Sequence, residues 1–168
     1  YKDVSFSDAE MTELHYAGLL HDFGKIGVRE HVLQKAEKLY PAQQQAIAFR
    51  GEIAARELRL DALEREARLI EAGRKSEVQA VRDKLVADLA GLKDDVAFLL
   101  EHSKPLFMTD EKLARLRFIH DNPRVVNGQT YALMNEEDYL SLQTRKGTLN
   151  EAERREIENH VADSWQFL

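Results

Sequence analysis

The chain has no cysteine, which removes a disulfide framework and thiolate metal ligation from consideration. Only 3 prolines and 8 glycines occur in 168 residues, a profile that favours long helices. There is no basic excess. The 24 Lys and Arg stand against 30 Asp and Glu, a formal charge of -6, with a pI near 5.6. Broad electrostatic binding to a nucleic-acid polymer or an anionic membrane is therefore not expected, whereas a small phosphate ligand held by a few local cations stays compatible. No apolar run approaches the roughly 20 residues needed to cross a bilayer, so no membrane span is expected. A basic-then-apolar leader is also missing. The start at Tyr1 suggests an excised piece of a longer protein, and the lack of cysteine suits a cytoplasmic location.

What is present is 43% hydrophobic and 32% charged residues, enough apolar material for a core and enough charge to coat long helices. Ser7 followed by Glu10 reads as a capping box. The helix it opens carries Met11, Leu14, Gly18 and Asp22 along one side, with Gly24 as its expected end. A second short helix is expected over about 29–38, with Val32 and Leu33 inward. Pro41 suits the first position of another helix.

Over 41–102 the composition shifts to Ala, Leu, Glu, Arg, Lys and Gln without internal proline. Val78, Val81, Leu85, Leu89, Leu92, Val96 and Leu99 step by threes and fours, a heptad-like seam. Phe49, Ile53, Leu60, Leu63, Ala67 and Ile70 form a less regular stripe in the preceding arm. Between the arms, Gly73 marks a turn and Ser76 a new helix cap. The expectation is an antiparallel coiled-coil hairpin of about 30 residues per arm, roughly 45 Å long. Its small apolar area per residue would be made up by pairing with a second chain through Leu85 and Leu92. The alternative is an ordinary pair of helices folded on the domain.

Shorter elements follow. Thr109 starts a helix through Leu113, Leu116 and Ile119, and Asn127-Gly128 signals a β-hairpin. Asn135 caps a short helix that Gly147 breaks. Asn150 and Glu153 open a last helix in which Ile157, Val161 and Leu168 share a face. The chain thus reads as mainly α, divided at 1–40, 41–104, 105–146 and 147–168.

His21-Asp22, with Lys25 three residues on, is the one stretch that raises a chemical question. Imidazole and carboxylate ligate divalent transition metals. A lysine beside such an ion would suit a phosphate substrate. Spacing alone leaves two readings open. Either these residues form a site, or His21 is satisfied locally, Asp22 binds nearby amides and Lys25 is solvated. His160, on the inner side of an amphipathic helix, adds to the first reading, because an unpaired buried imidazole costs free energy. His15 lies on the face of Asp22, while His31, His102 and His120 sit in polar surroundings and are expected to be solvated.

The motif "LLHDFGKIGV" resembles the signature of the HD superfamily of metal-dependent phosphohydrolases, in particular its HD-GYP branch. "VLQKAEKL" is similar to the family's next segment, and "GTLNEAERREIENHV" to a later block that delivers a further histidine ligand. The resemblance implies a helical HD-type domain in which His21, Asp22 and His160 are metal ligands, Asp22 able to bridge two ions. Lys25 would contact the scissile phosphate, and Lys35 would lie near the substrate without belonging to the ligand set. It further implies two or three iron, manganese or similar divalent ions, and hydrolysis of the bacterial second messenger cyclic di-guanylate. A sensor domain is expected in the parent chain. The departures are specific. Nothing in 1–20 fits the family's upstream histidine, and its later histidines, last acidic ligand and Gly-Tyr-Pro loop lie beyond the His160 block. Residues 40–145 are an insertion. Two further readings follow: a coiled-coil dimerisation and signal-transmission module with a vestigial HD motif, and an HD-type hydrolase of other nucleotides.

Overall fold

The computed structural model describes residues 5–167, apart from the side chains of 163, 166 and 167; Leu168, expected on the face of the last helix, lies outside the described residues. The fold is mainly helical, with one two-stranded antiparallel sheet. It divides into two compact units. The first joins the two ends of the chain, Tyr1–Lys35 with Glu151–Leu168, and the second is Ala36–Asn150. Among the described residues no helix is long and apolar enough to cross a membrane.

In the first unit, α1 (Asp8–Leu20) begins at the expected capping box: the Ser7 amide donates to Glu10 Oε2 at 2.7 Å and the Glu10 amide to Ser7 Oγ at 3.4 Å. It ends at Leu20, four residues before Gly24, and a 3-10 turn follows over Phe23–Gly27. Gly24 is required for a different reason from helix termination. The turn presses against α7 (Glu151–Phe167), and a Cβ at Gly24 would overlap the His160 carbonyl oxygen. Helix α2 is a single turn, Glu30–Leu33, that buries Val32 and leaves Leu33 exposed, contrary to the inward placement expected for both. In α7 the face toward the turn is Glu153, Ile157, His160 and Ser164, whereas Val161 points to solvent. Of the expected apolar face, Ile157 does turn inward, half-buried among polar groups, and Val161 does not.

The second unit is built on α3 (Pro41–Glu71) and α4 (Val78–Glu101). Pro41 does occupy the first turn of α3, and the Tyr40 amide donates to Gln43 Oε1 at 2.9 Å. At 31 and 24 residues the arms are unequal, about 46 and 36 Å. The turn uses Gly73 at φ 73°. Ser76 falls inside a 3-10 segment (Lys75–Glu77) and does not cap α4; Glu77 stands at the N-cap. The α4 seam faces inward as expected, with Val78, Leu92 and Leu99 buried and Val81, Leu85, Leu89 and Val96 half-buried. The α3 stripe does not. Its inward residues are Ile47, Gly51, Ala54, Leu58 and Ala62, because small side chains let the helices approach closely. A Cβ on Gly51 would lie 2.7 Å from Val96 Cγ2. Since Leu85 and Leu92 pack within the chain, replacing them by Asp perturbs this hairpin rather than a dimer contact.

The rest of this unit closes the core. Helix α5 (Asp110–Asp121) is capped by Thr109 and buries Leu116 and Ile119. Strands β1 (Arg124–Val126) and β2 (Gln129–Tyr131) pair through Asn127-Gly128, at φ 51° and 79°, the two-residue turn that Asn-Gly favours. Helix α6 (Glu136–Leu142) has Asn135 in a reciprocal cap with Asp138, and ends before Gly147, which adopts φ 86°. Leu39, Ile47, Leu92, Leu99, Met108, Leu116, Leu133 and Leu142 meet in one cluster. Two histidines expected in solvent belong to this unit's packing. His102 is buried against Phe98, ring centroids 4.2 Å apart, with Nδ1 2.8 Å from the Phe98 carbonyl oxygen. His120 stacks on Tyr139 and lies 3.2 Å from Glu136.

Candidate metal centre

The C-terminal end of α1, the 3-10 turn after it and the middle of α7 bring His21, Asp22, Lys25 and His160 together. His21 caps α1, and Nδ1 lies 2.7 Å from the Gly18 carbonyl oxygen. A carbonyl can only accept, so Nδ1 carries the proton in the neutral ring and Nε2 keeps its lone pair. That Nε2 is 3.3 Å from Asp22 Oδ2. His160 repeats the arrangement: Nδ1 contacts the Ile157 carbonyl oxygen, and Nε2 lies 3.8 Å from Asp22 Oδ1. Each imidazole thus addresses a different oxygen of one carboxylate. Lys25 Nζ completes the group at 2.9 Å from Asp22 Oδ2.

Exposure differs across the group. The His160 side chain is 14% exposed, Asp22 44% and His21 67%. The site opens on the His21 side and is closed on the α7 side. Lys25 holds the Asp22 carboxyl below the usual carboxylate range by its hydrogen bond, with burial opposing and the nearby imidazoles assisting. Asp22 is therefore an anion at neutral pH, the state needed for metal ligation.

Polar contacts of three α7 residues, Ser164, Glu153 and Glu156, hold this helix in place behind the site. The Gly24 amide donates to Ser164 Oγ at 2.8 Å, and Ser164 Oγ donates to the His21 carbonyl oxygen at 3.3 Å. Lys35 Nζ sits 2.8 Å from both Glu153 oxygens, with side chains 1% and 8% exposed. Lys35 is consequently an anchor for α7. Arg29 grips Glu156 with its amide and its guanidinium, and this pulls the Glu156 carboxyl down to about 2. Sequence reasoning had no access to Ser164, Glu153 and Glu156 as positioning groups. Their only signal was polar residues recurring on the face that periodicity would assign to a core.

The donor types suit a divalent cation: two imidazoles that can ligate through Nε2 when the rings are neutral, and an ionised carboxylate between them. Among the described residues, however, no three donors stand close enough to hold one ion as placed. His15 is exposed and edges the Tyr16 ring, away from any part in this group. No protein-family model, no curated protein and no solved structure matches this chain.

Proposed function

We propose that this chain carries part of the metal centre of a phosphohydrolase resembling the HD-GYP branch of the HD superfamily, with a cyclic dinucleotide such as cyclic di-guanylate as substrate. The observation that supports this most is the convergence of His21, Lys25 and His160 on the two oxygens of Asp22, across the whole inserted second unit. When bound, iron or manganese supplies polarisation of a phosphoryl oxygen and a more acidic water. His21 and His160 would donate through Nε2, and Asp22 through both oxygens, which suits a carboxylate shared between two ions. Lys25 keeps Asp22 ionised and places a positive charge where phosphate oxygens would come to lie. The shell behind them, Ser164, Glu153 and Glu156, holds His160 at its distance from Asp22.

The test uses the full-length parent protein loaded with manganese or iron. Hydrolysis of cyclic di-guanylate is expected, with near-complete loss in His21→Ala, Asp22→Ala and His160→Ala. No hydrolysis by the wild type, or unchanged rates in all three variants, would sink the proposal. Turnover of other nucleotides alone would favour the broader HD-type hydrolase. One observation favours the second reading, a signalling module with a vestigial motif: the described donors do not form a group of three. That reading predicts no uptake of manganese by calorimetry.

A further inference from the structure

Helix α3 has two apolar faces. One, Ile47, Gly51, Ala54, Leu58 and Ala62, packs on α4. On the opposite side Phe49, Ile53, Leu60, Leu63 and Ile70 are between 47% and 63% exposed. With Arg56 and Ala67, also exposed, they step by 4, 3, 4, 3, 4 and 3. This is a heptad seam about 30 Å long, turned half a revolution away from α4. A run of large apolar side chains in this order on the solvent side of one helix marks a docking surface.

We propose that the outer face of α3 pairs, antiparallel, with the same face of a second copy of this chain. The register sets Leu60 against Leu63 of the partner subunit, Arg56 against Ala67 of the partner subunit, and Ile53 against Ile70 of the partner subunit. Charge and volume select it. Ile53, Leu60 and Ala67 take one core position of the heptad, and Phe49, Arg56, Leu63 and Ile70 the other. A parallel pair would stack Arg56 on its own copy in the core. It would also oppose Glu52 to Glu57 and Glu66 to Glu71 across the flanks, leaving Arg59 with Glu64 as its favourable pair. The antiparallel register lays the aliphatic stem of Arg56 over the small Ala67 of the partner subunit, its guanidinium reaching water. At the flanks Arg59 meets Glu66 of the partner subunit, and Arg50 meets Glu71 of the partner subunit. Glu57 with Glu64 of the partner subunit is the one repulsive combination. Sliding by one heptad in one direction sets Arg59 against its own copy and Glu52 against Glu66 of the partner subunit. Sliding in the other sets Glu66 and Glu64 each against its own copy. Glu66 already binds Arg82, and Arg50 binds Asp138, within the chain. The new pairs therefore extend existing ion pairs. The inference is independent of the metal centre.

The absence of cysteine makes the test clean. Ile53→Cys and Ile70→Cys are prepared as separate chains, both at exposed positions. In the proposed register each residue lies about 25 Å from its own copy, so neither variant alone forms a disulfide-linked dimer on mild oxidation. An equimolar mixture gives the mixed dimer. Self-linking of Ile53→Cys would mean a parallel pair and overturns the proposal, as does a mixture that stays uncrosslinked. In sedimentation equilibrium the wild type has twice the monomer mass, and Leu60→Glu with Leu63→Glu halves it while leaving the helical circular-dichroism signal unchanged. A wild type that stays monomeric at high concentration, its seam then open to a different partner, would equally overturn it.

Discussion

Replacing Gly24 with alanine drives a methyl group into α7. The new Cβ would overlap the His160 carbonyl oxygen and sit 2.8 Å from the backbone nitrogen and Oγ of Ser164. Two of these three neighbours are backbone atoms, so no side-chain rotation relieves the clash. To regain ordinary contact α7 must move outward by about 1 Å or more. That movement lengthens the Gly24 amide bond to Ser164 Oγ and the Ser164 bond to the His21 carbonyl. Overpacking costs about 1–3 kcal/mol, and each lost hydrogen bond about 1 kcal/mol. A loss of about 3 kcal/mol from the first unit is expected, read by hydrogen exchange over residues 21–35 and 151–167. On the proposed metal centre, displacing His160 from Asp22 should also weaken manganese binding roughly tenfold or more, as changes to groups that orient ligands do. Gly18→Ala is the control. A Cβ there meets nothing within 4 Å, and Gly18 lies inside α1. The same substitution should therefore stabilise by about 0.5–1 kcal/mol. Equal effects of the two substitutions, or a Gly24→Ala protein as stable as the wild type, would refute the reasoning.

Three other outcomes are expected. Lys35→Met alone leaves Glu153 buried beside an apolar stem and should cost about 3 kcal/mol in urea unfolding, much of it recovered in Lys35→Met with Glu153→Leu. Lys38 is buried, with no hydrogen-bond partner for Nζ; burial, aided by the charge of Lys112, lowers its pKa to about 8. Its folded pKa is depressed, so at pH 7 the charged amine is buried at a cost of at most about 3 kcal/mol. Stability should rise with pH from about 8 to 10.5, and Lys38→Met should stabilise at pH 7 with a gain that fades toward pH 10.5 in paired denaturant titrations. Lys25→Met removes the main cause of the lowered Asp22 pKa. The carboxyl carbon of Asp22 should then titrate at higher pH by NMR, and on the proposed metal centre the acid limb of manganese binding should move up with it; an unmoved titration would mean that Lys25 does not hold Asp22.

The sequence by itself determined what depends on near neighbours. The Ser7–Glu10 box, the Thr109 and Asn135 caps, Pro41 at a helix start and the Asn127-Gly128 hairpin all form as read, since each satisfies backbone groups within a few residues. The inward seam of α4 is legible for the same reason: one stripe, one period. Helix α3 carries two periodic stripes, and only packing chooses between them. The larger residues attract the eye, but Gly51, Ala54 and Ala62 face α4, because close approach of backbones requires small side chains. The placement of His102 and His120 was likewise hidden, since stacking on Phe98 and Tyr139 depends on the folded rings and not on polar neighbours in the chain. At the site, the motif pointed to His21, Asp22 and Lys25, which are local. That His160 reaches Asp22, while Lys35 turns away to Glu153, was decided by the tertiary structure alone. Residues so far apart in sequence meet through α7 and the 3-10 turn, and that contact depends on a glycine that leaves room for a backbone.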